Sequence, residues 1–330
     1  MINATTFTDN TARTGGGVGN YGKMNVSNSV LHGNTAVVFG GGLSNINAAA
    51  LLTMSSTTVS GNATCNLLAA RCQGGGIFNR EGAMRLVNST IRSNQGVVGG
   101  VAISFGSVSA RNTIISGNLA VGAGTSPEVN RVFNSSGNNL IGNNFESTFF
   151  SAAGDVTGTR AAPVDPKLRP LGNYGGTTLT QPPFFDSLAV NAGNNCVLVA
   201  GACGDGNPAL TTDQRGCTRI GNVTSFVPDI GAVELQTAVV TNISDATTPN
   251  VPFASLRSFV EGGFLYDRIL FDPTKFANPN TSINLVAPLT INRPLEIFGF
   301  NAESPKITGA GRAELVASWC EFSASQAREI

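Results

Sequence analysis

The chain has 330 residues, no net formal charge, 12% charged residues, 41% hydrophobic residues and 40 glycines. The hydrophobic share argues against disorder. The absence of basic runs makes nucleic acid and anionic membrane poor partners, and no apolar run is long enough to span a bilayer.

From Met1 to about residue 121 the chain is a repeat. Its anchors are Asn10, Asn34, Asn62, Asn94 and Asn118, at intervals of 24, 28, 32 and 24. Three positions before each anchor sits an apolar residue: Phe7, Leu31, Val59, Ile91, Ile115. Six before it lies a small or amide-bearing residue: Ala4, Asn28, Ser56, Asn88, Asn112. Eight and ten before it are further apolar columns, such as Leu86 and Met84. After each anchor up to Asn94 come glycines and then Val18, Leu43, Ile77 or Val101. A fixed period of this size indicates a solenoid, and apolar spacing by two is strand spacing. Three short strands per period with no helix between them describe one rung of a parallel β-helix, with rungs about 4.8 Å apart. A β-sandwich is the alternative, but five columns repeating in register favour the β-helix. Stacked asparagines are then expected to bond along the axis as ladders, from Asn10 to Asn118 in one column and at Asn28, Asn88 and Asn112 in another. Rung sequence starts directly after Met1, without an export signal or a cap for the first rung. The expectation is a slice of a longer array.

Cys65 and Cys72 bracket an insertion where the anchor-to-glycine distance swells to 12 residues, against 5 or 6 elsewhere. A disulfide closing that loop is the reading, with free thiols as the alternative. Cys196 and Cys203 have the same separation, while Cys217 and Cys320 have no obvious partners. Disulfide-closed loops point outside the cytoplasm. One histidine and no C-x-x-C make zinc a poor candidate.

For chemistry, a glycoside hydrolase needs paired carboxylates on one groove. Before residue 130 the only acids are Asp9, Glu81 and Glu128, in no shared column. No catalytic residue is nominated. His32 falls in the polar column Thr8, His32, Ser60, Arg92, Ser116, which is expected to face solvent. Arg92 with Arg85 or Arg111 can form a small basic face for acidic sugars, although outward arginines need no function.

A degenerate rung runs through Gly137-Asn138-Asn139-Leu140-Ile141-Gly142, and from about 145 the pattern stops. There follow Asp165-Pro166, Leu171 to Gly175-Gly176, Ser187-Leu188-Ala189 to Gly193, Thr212-Asp213-Gln214-Arg215-Gly216 and Asp229-Ile230-Gly231-Ala232-Val233-Glu234. In that order these motifs resemble the tail of bacterial choice-of-anchor Q proteins, right-handed parallel β-helix surface proteins with a pectate-lyase-like fold. Asn191 stands where that family usually has Asp, and the segment with Cys196 and Cys203 is an insertion. Asp213, Asp229 and Glu234 beside Gly-rich turns are candidates for Ca²⁺. The alternative is that Arg215 pairs with Asp213 or Asp229 and pins the tail against the last rung.

From about 238 the sequence changes again. Ser255 is placed to cap a short helix carrying Leu256, Phe259 and Val260 inward. Short strand-like runs follow. This resembles the Cys-Ser-Leu-Arg-Glu-Ala cap of the same proteins, with Ala254 replacing the Cys and Ser258-Phe259 replacing Glu-Ala. The expected organisation is an all-β chain with β-helix rungs over 1–145, a tail over 146–237 and the start of a second β-helix over 238–330. The resemblance implies a non-catalytic structural or adhesive protein at a bacterial cell surface, possible polysaccharide or neighbouring-cell partners, and further β-helix modules. The rival is a polysaccharide lyase or glycoside hydrolase.

Overall fold

Aliphatic residues spaced by two set the first strand of each rung. In the computed structural model, Lys23–Ser27, Leu51–Ser55, Ala83–Val87 and Ser107–Arg111 lie between Ile2–Asn3 and Asn134–Ser135 as a six-stranded parallel sheet. Met24, Leu52, Met84 and Val108 pair in one row, and Val26, Met54, Leu86 and Ala110 in the next. Both rows point into one core with Leu31, Val59, Ile91 and Ile115. Each aliphatic side chain buried there contributes roughly 1.5–3 kcal/mol. The structure describes residues 1–64, 72–121, 126–145, 147–148, 150–204, 206–219, 227–245, 255–262, 265–278, 281–299, 306–309 and 316–317.

The second sheet has seven strands: Thr6–Thr8, Val30–His32, Thr58–Ser60, Thr90–Arg92, Ile114–Ile115, Leu140–Ile141 and Val156–Thr157. A five-stranded sheet contains Thr35–Phe39 and Ala63–Thr64, and a four-stranded sheet contains Leu43–Asn45 and Ile77–Asn79. All four are parallel from rung to rung, so the fold is a parallel β-helix. The sequence predicts three strands per rung, whereas the first four rungs have four. The extra strand lies between anchor and glycines. Its repeating inward column is small, with Ala12, fully buried Ala36 and Thr64, so no aliphatic residue recurs there from rung to rung.

The column six before the anchor makes the bend between the first two sheets. Ala4, Asn28, Ser56, Asn88 and Asn112 all have φ between 42° and 49°. Asparagine tolerates this left-handed region better than most residues. Glycine is required where the last turn packs between rungs: a Cβ on Gly41 would lie 2.3 Å from the carbonyl oxygen of Gly75.

The tail does not trail beyond the rungs. It folds back over the outer face of the second sheet, within one compact unit formed by Met1–Ile220 and Ser225–Glu234. The Thr58 hydroxyl donates to Gln214 Oε1 at 2.6 Å, the Ala232 amide donates to Thr90 Oγ1 at 3.1 Å, and the Ser116 hydroxyl donates to the Val164 carbonyl at 2.9 Å. Ile114 and Leu140 pack with Leu168, Ala189 and Ile230. The column expected to face solvent is therefore covered at Ser60 and Ser116, only 3% and 1% exposed, while His32 and Arg92 are half-buried and Thr8 is exposed. The docking site also differs from expectation: tail segments bond several rungs, as early as Asn28, whose carbonyl accepts from Thr178 Oγ1.

The second unit comprises Gly221–Thr224 and Leu235–Ile330. Thr237–Val240, Arg268–Phe271 and Glu296–Phe298 form one parallel sheet, and Ser282–Leu285 pairs in parallel with Lys306–Gly309. These are rung-like pairings around a separate core that includes Ile269, Ile283 and Leu285. The helix Leu256–Glu261 buries Leu256, Phe259 and Val260, and Ser255 Oγ accepts from the Ser258 amide at 3.2 Å as its N-cap. Arg257 is clamped between Asp245 and Glu261. Ala254 lies outside the described residues. Among the described residues no helix is long and apolar enough to cross a membrane.

Candidate functional site

The outer face of the first sheet carries a recess. A groove of about 490 Å³ opens between that face and the segment around residues 196–212. Its floor has two polar columns in rung register, Asn3–Ser27–Ser55 and Asn25–Thr53. Its wall mixes apolar Val197, Val199, Pro208 and Leu210 with Asn207, Thr211 and Thr212. Among the described residues no carboxylate, imidazole, ammonium or guanidinium side chain lines it.

The wall is held from several directions. Asn194 caps the 3-10 turn Asn195–Leu198, and a Cys196–Cys203 disulfide closes the loop. The Leu210 amide bonds the Val197 carbonyl at 2.8 Å. Asn112, at a rung bend, accepts the Asn194 amide at 2.8 Å. Arg111 donates to Cys196 Sγ at 2.9 Å and to the Cys203 carbonyl at 3.4 Å. The groove thus joins rungs one to three to a loop over 140 residues away in sequence, and no local sequence pattern could announce it.

The three arginines nominated as a basic face do not make one. Arg92 lies on the second sheet beside Asp165, 3.4 Å away, and Arg111 supports the groove wall. Arg85 lies on the first sheet in the column of Thr53 and Ser109, outside the groove lining. The tail and loop recruit the charges that sequence alone left facing outward. His32 places Nδ1 3.1 Å from the Ser60 carbonyl oxygen.

The anchor asparagines bond as an axial chain. Asn10, Asn34, Asn62 and Asn94 each donate Nδ2–H to Oδ1 of the next anchor at 2.8–2.9 Å. The chain ends on a carboxylate: Asn118 donates to Glu128 Oε2 at 2.5 Å, and the Gly117 amide donates to Oε1 at 2.9 Å. Burial pushes the Glu128 carboxyl up to about 7 against the opposing pull of these donors. The Asn28, Asn88 and Asn112 column is no unbroken ladder, because Ala4 and Ser56 interrupt it. Asn28 bonds Asn3, and Asn112 reaches Asn88 at 3.4 Å. A second ladder escaped sequence reading: Asn20 donates to Asn45 and Asn45 to Asn79, both at 2.7 Å. Their shared place two residues after Val18, Leu43 and Ile77 was the available signal.

Asp213, Asp229 and Glu234 converge in a buried cluster with Arg215 and Arg219. Arg215 Nε lies 3.0 Å from Asp213 Oδ2, both side chains fully buried. Arg219, which sequence reading passed over, bonds Ser56 Oγ at 3.1 Å and lies 3.7 Å from Glu234 Oε2. Asp213 accepts the amides of Arg215, Cys217 and Glu234; Asp229 accepts that of Asn191; Glu234 accepts that of Asp229. Burial, aided by the Asp229 charge, pushes the Glu234 carboxyl upward. A protonated Glu234 leaves two carboxylates against two guanidiniums, the neutral balance a buried cluster favours. These oxygens do not suit Ca²⁺, which needs six to eight oxygen ligands, because protein donors and cations already fill the space. Among the described residues no group of three His, Cys, Asp or Glu side chains could hold a metal ion. The cluster holds the tail to the solenoid.

Cys72 is buried and disulfide-bonded, while Cys65 and Cys320 lie outside the described residues. Compared with known proteins, the chain matches no family profile, no curated protein and no solved structure.

Proposed function

We propose that this chain is a non-catalytic structural and adhesive β-helix protein of an extracellular or cell-surface setting, of the choice-of-anchor Q kind, and that it holds polysaccharide in the groove on its first sheet. The observation that carries this reading is the groove: a fixed, rung-built floor of amides and hydroxyls, facing a wall with apolar Val199, Pro208 and Leu210, with no titratable side chain among the described residues of its lining. Glycoside hydrolysis needs an acid and a second carboxylate across the bound sugar, and lyase chemistry needs a base. Among the described residues the lining side chains supply neither. The Cys196–Cys203 disulfide supports an oxidising compartment. Rung-like pairings in the second unit support further β-helix modules as partners along the chain.

Incubation with a panel of neutral and uronic-acid polysaccharides, followed by assays for retained protein and for new reducing or unsaturated ends, tests the reading. Retention without chain cleavage is expected. Released oligosaccharides would replace this reading with a lyase or hydrolase.

A further inference from the structure

The chemistry of the groove says more than that a sugar polymer fits it. The columns Asn3–Ser27–Ser55 and Asn25–Thr53 repeat the same kinds of group from rung to rung, at a spacing of about 4.8 Å. That spacing is close to the advance per sugar of an extended glycan. Amides and hydroxyls both donate and accept, which is what sugar hydroxyls require. Beyond Ser55 the first column turns apolar at Val87, and beyond Thr53 the second reaches Arg85. The polar track is therefore three rungs long.

Charge is the discriminating feature. A uronate chain carries a carboxylate on every sugar and would need cations along its path, because desolvating an unpaired charge is costly. Among the described residues no lining side chain supplies one, and the guanidinium of Arg111 is directed to the wall loop. Val199, Pro208 and Leu210 offer apolar surface to the C–H faces of the sugars. Val199 is 63% exposed, so that surface is open to a ligand.

We infer that the groove binds a neutral polysaccharide in extended form, lying along the solenoid axis with successive sugars over successive rungs and about three sugars in contact. This assignment rests on the polysaccharide reading above and adds to it the charge class, direction and length of the ligand.

The test uses the full chain. Binding to mannan, xylan and mixed-linkage β-glucan is compared with binding to polygalacturonate and alginate, by calorimetry at low and high salt. Neutral oligomers of increasing length follow. Asn25→Ala with Thr53→Val removes two floor groups without touching the core, and Ser109→Ala on the same sheet is the control. The expected result is binding of a neutral polymer that is insensitive to salt and stops tightening at about three to four sugars. The double variant should weaken it about tenfold, the loss expected from one or two hydrogen bonds, with melting temperature unchanged. Preference for a uronate, weakened by salt, would overturn the neutral assignment and leave the polysaccharide reading standing. Neutral binding undiminished in the double variant would move the site off this floor. Retention of no polymer at all would overturn both readings.

Discussion

On the second sheet, Thr58 and Thr90 point outward and are buried, their hydroxyl oxygens bonded to Gln214 and Ala232 of the tail. On the first sheet, Asn25, Thr53 and Ser55 point outward and line an open groove. The residue types are similar, but their neighbours differ. The second-sheet column also holds Val30, Ile114 and Leu140, each followed by an inward aliphatic. Two apolar residues in succession mean a strand buried on both faces, so those pairs mark the covered side. The first sheet keeps Lys23 and Ala83 exposed at its outer edge, and its Leu51-Leu52 pair leaves Leu51 44% exposed, so there the pattern does not bring cover. Polar residues on a solenoid thus become either internal fasteners or the floor of an open groove, according to whether another segment comes down on them.

The sharpest way to break the comparison is to undo the fastening. Arg215→Ala leaves the Asp213 carboxylate buried with its ion pair gone, at a cost of about 3–5 kcal/mol. Chemical denaturation should show that loss, together with a tail newly sensitive to protease. Groove-floor variants should show neither effect.

A pH titration sharpens the account of the ladder's end. Glu128 binds its proton more tightly folded, at about 7, than unfolded, near 4.5. Its contribution to stability is therefore full below pH 4.5 and lost as pH rises through about 7. The size is about 3 kcal/mol. The melting temperature should fall between pH 5 and pH 8, from this group and from Glu234, whose shift has the same sign. Glu128→Gln replaces the carboxyl with an amide that still accepts from Asn118. It should flatten part of that slope and raise stability at pH 8.

Reduction of Cys196–Cys203 is expected to cost about 2 kcal/mol of loop constraint and to loosen the groove wall. Polysaccharide affinity should drop more than global stability. The smallest stability effect belongs to the floor itself: Asn25→Ala should shift stability by about 0.5 kcal/mol or less, measured by the same denaturation.

The rungs were legible in sequence because each column recurs five times. Asn62 alone means little, but Asn10, Asn34, Asn62, Asn94 and Asn118 in step with Leu31, Val59 and Ile91 mean a stacked strand. The strand Thr35–Phe39 was not legible, since small residues such as Ala36 and Ala12 carry no hydrophobic period. Nor was the tail's position. Arg219 and Ser56 are 163 residues apart, and only a three-dimensional fold unites them. The groove is hidden for the same reason. Asn112 was singled out as a ladder residue, yet its side chain helps to hold the loop that forms the groove wall.

Hydrogen exchange by mass spectrometry, with and without a neutral polysaccharide, tests the central claim most directly. Tail-covered strands such as Thr58–Ser60 should be protected in both states. New protection should appear in Lys23–Ser27, Leu51–Ser55 and residues 196–212. Protection that leaves these three segments unchanged, or gathers on the tail instead, would contradict the assignment of the open face as the ligand track.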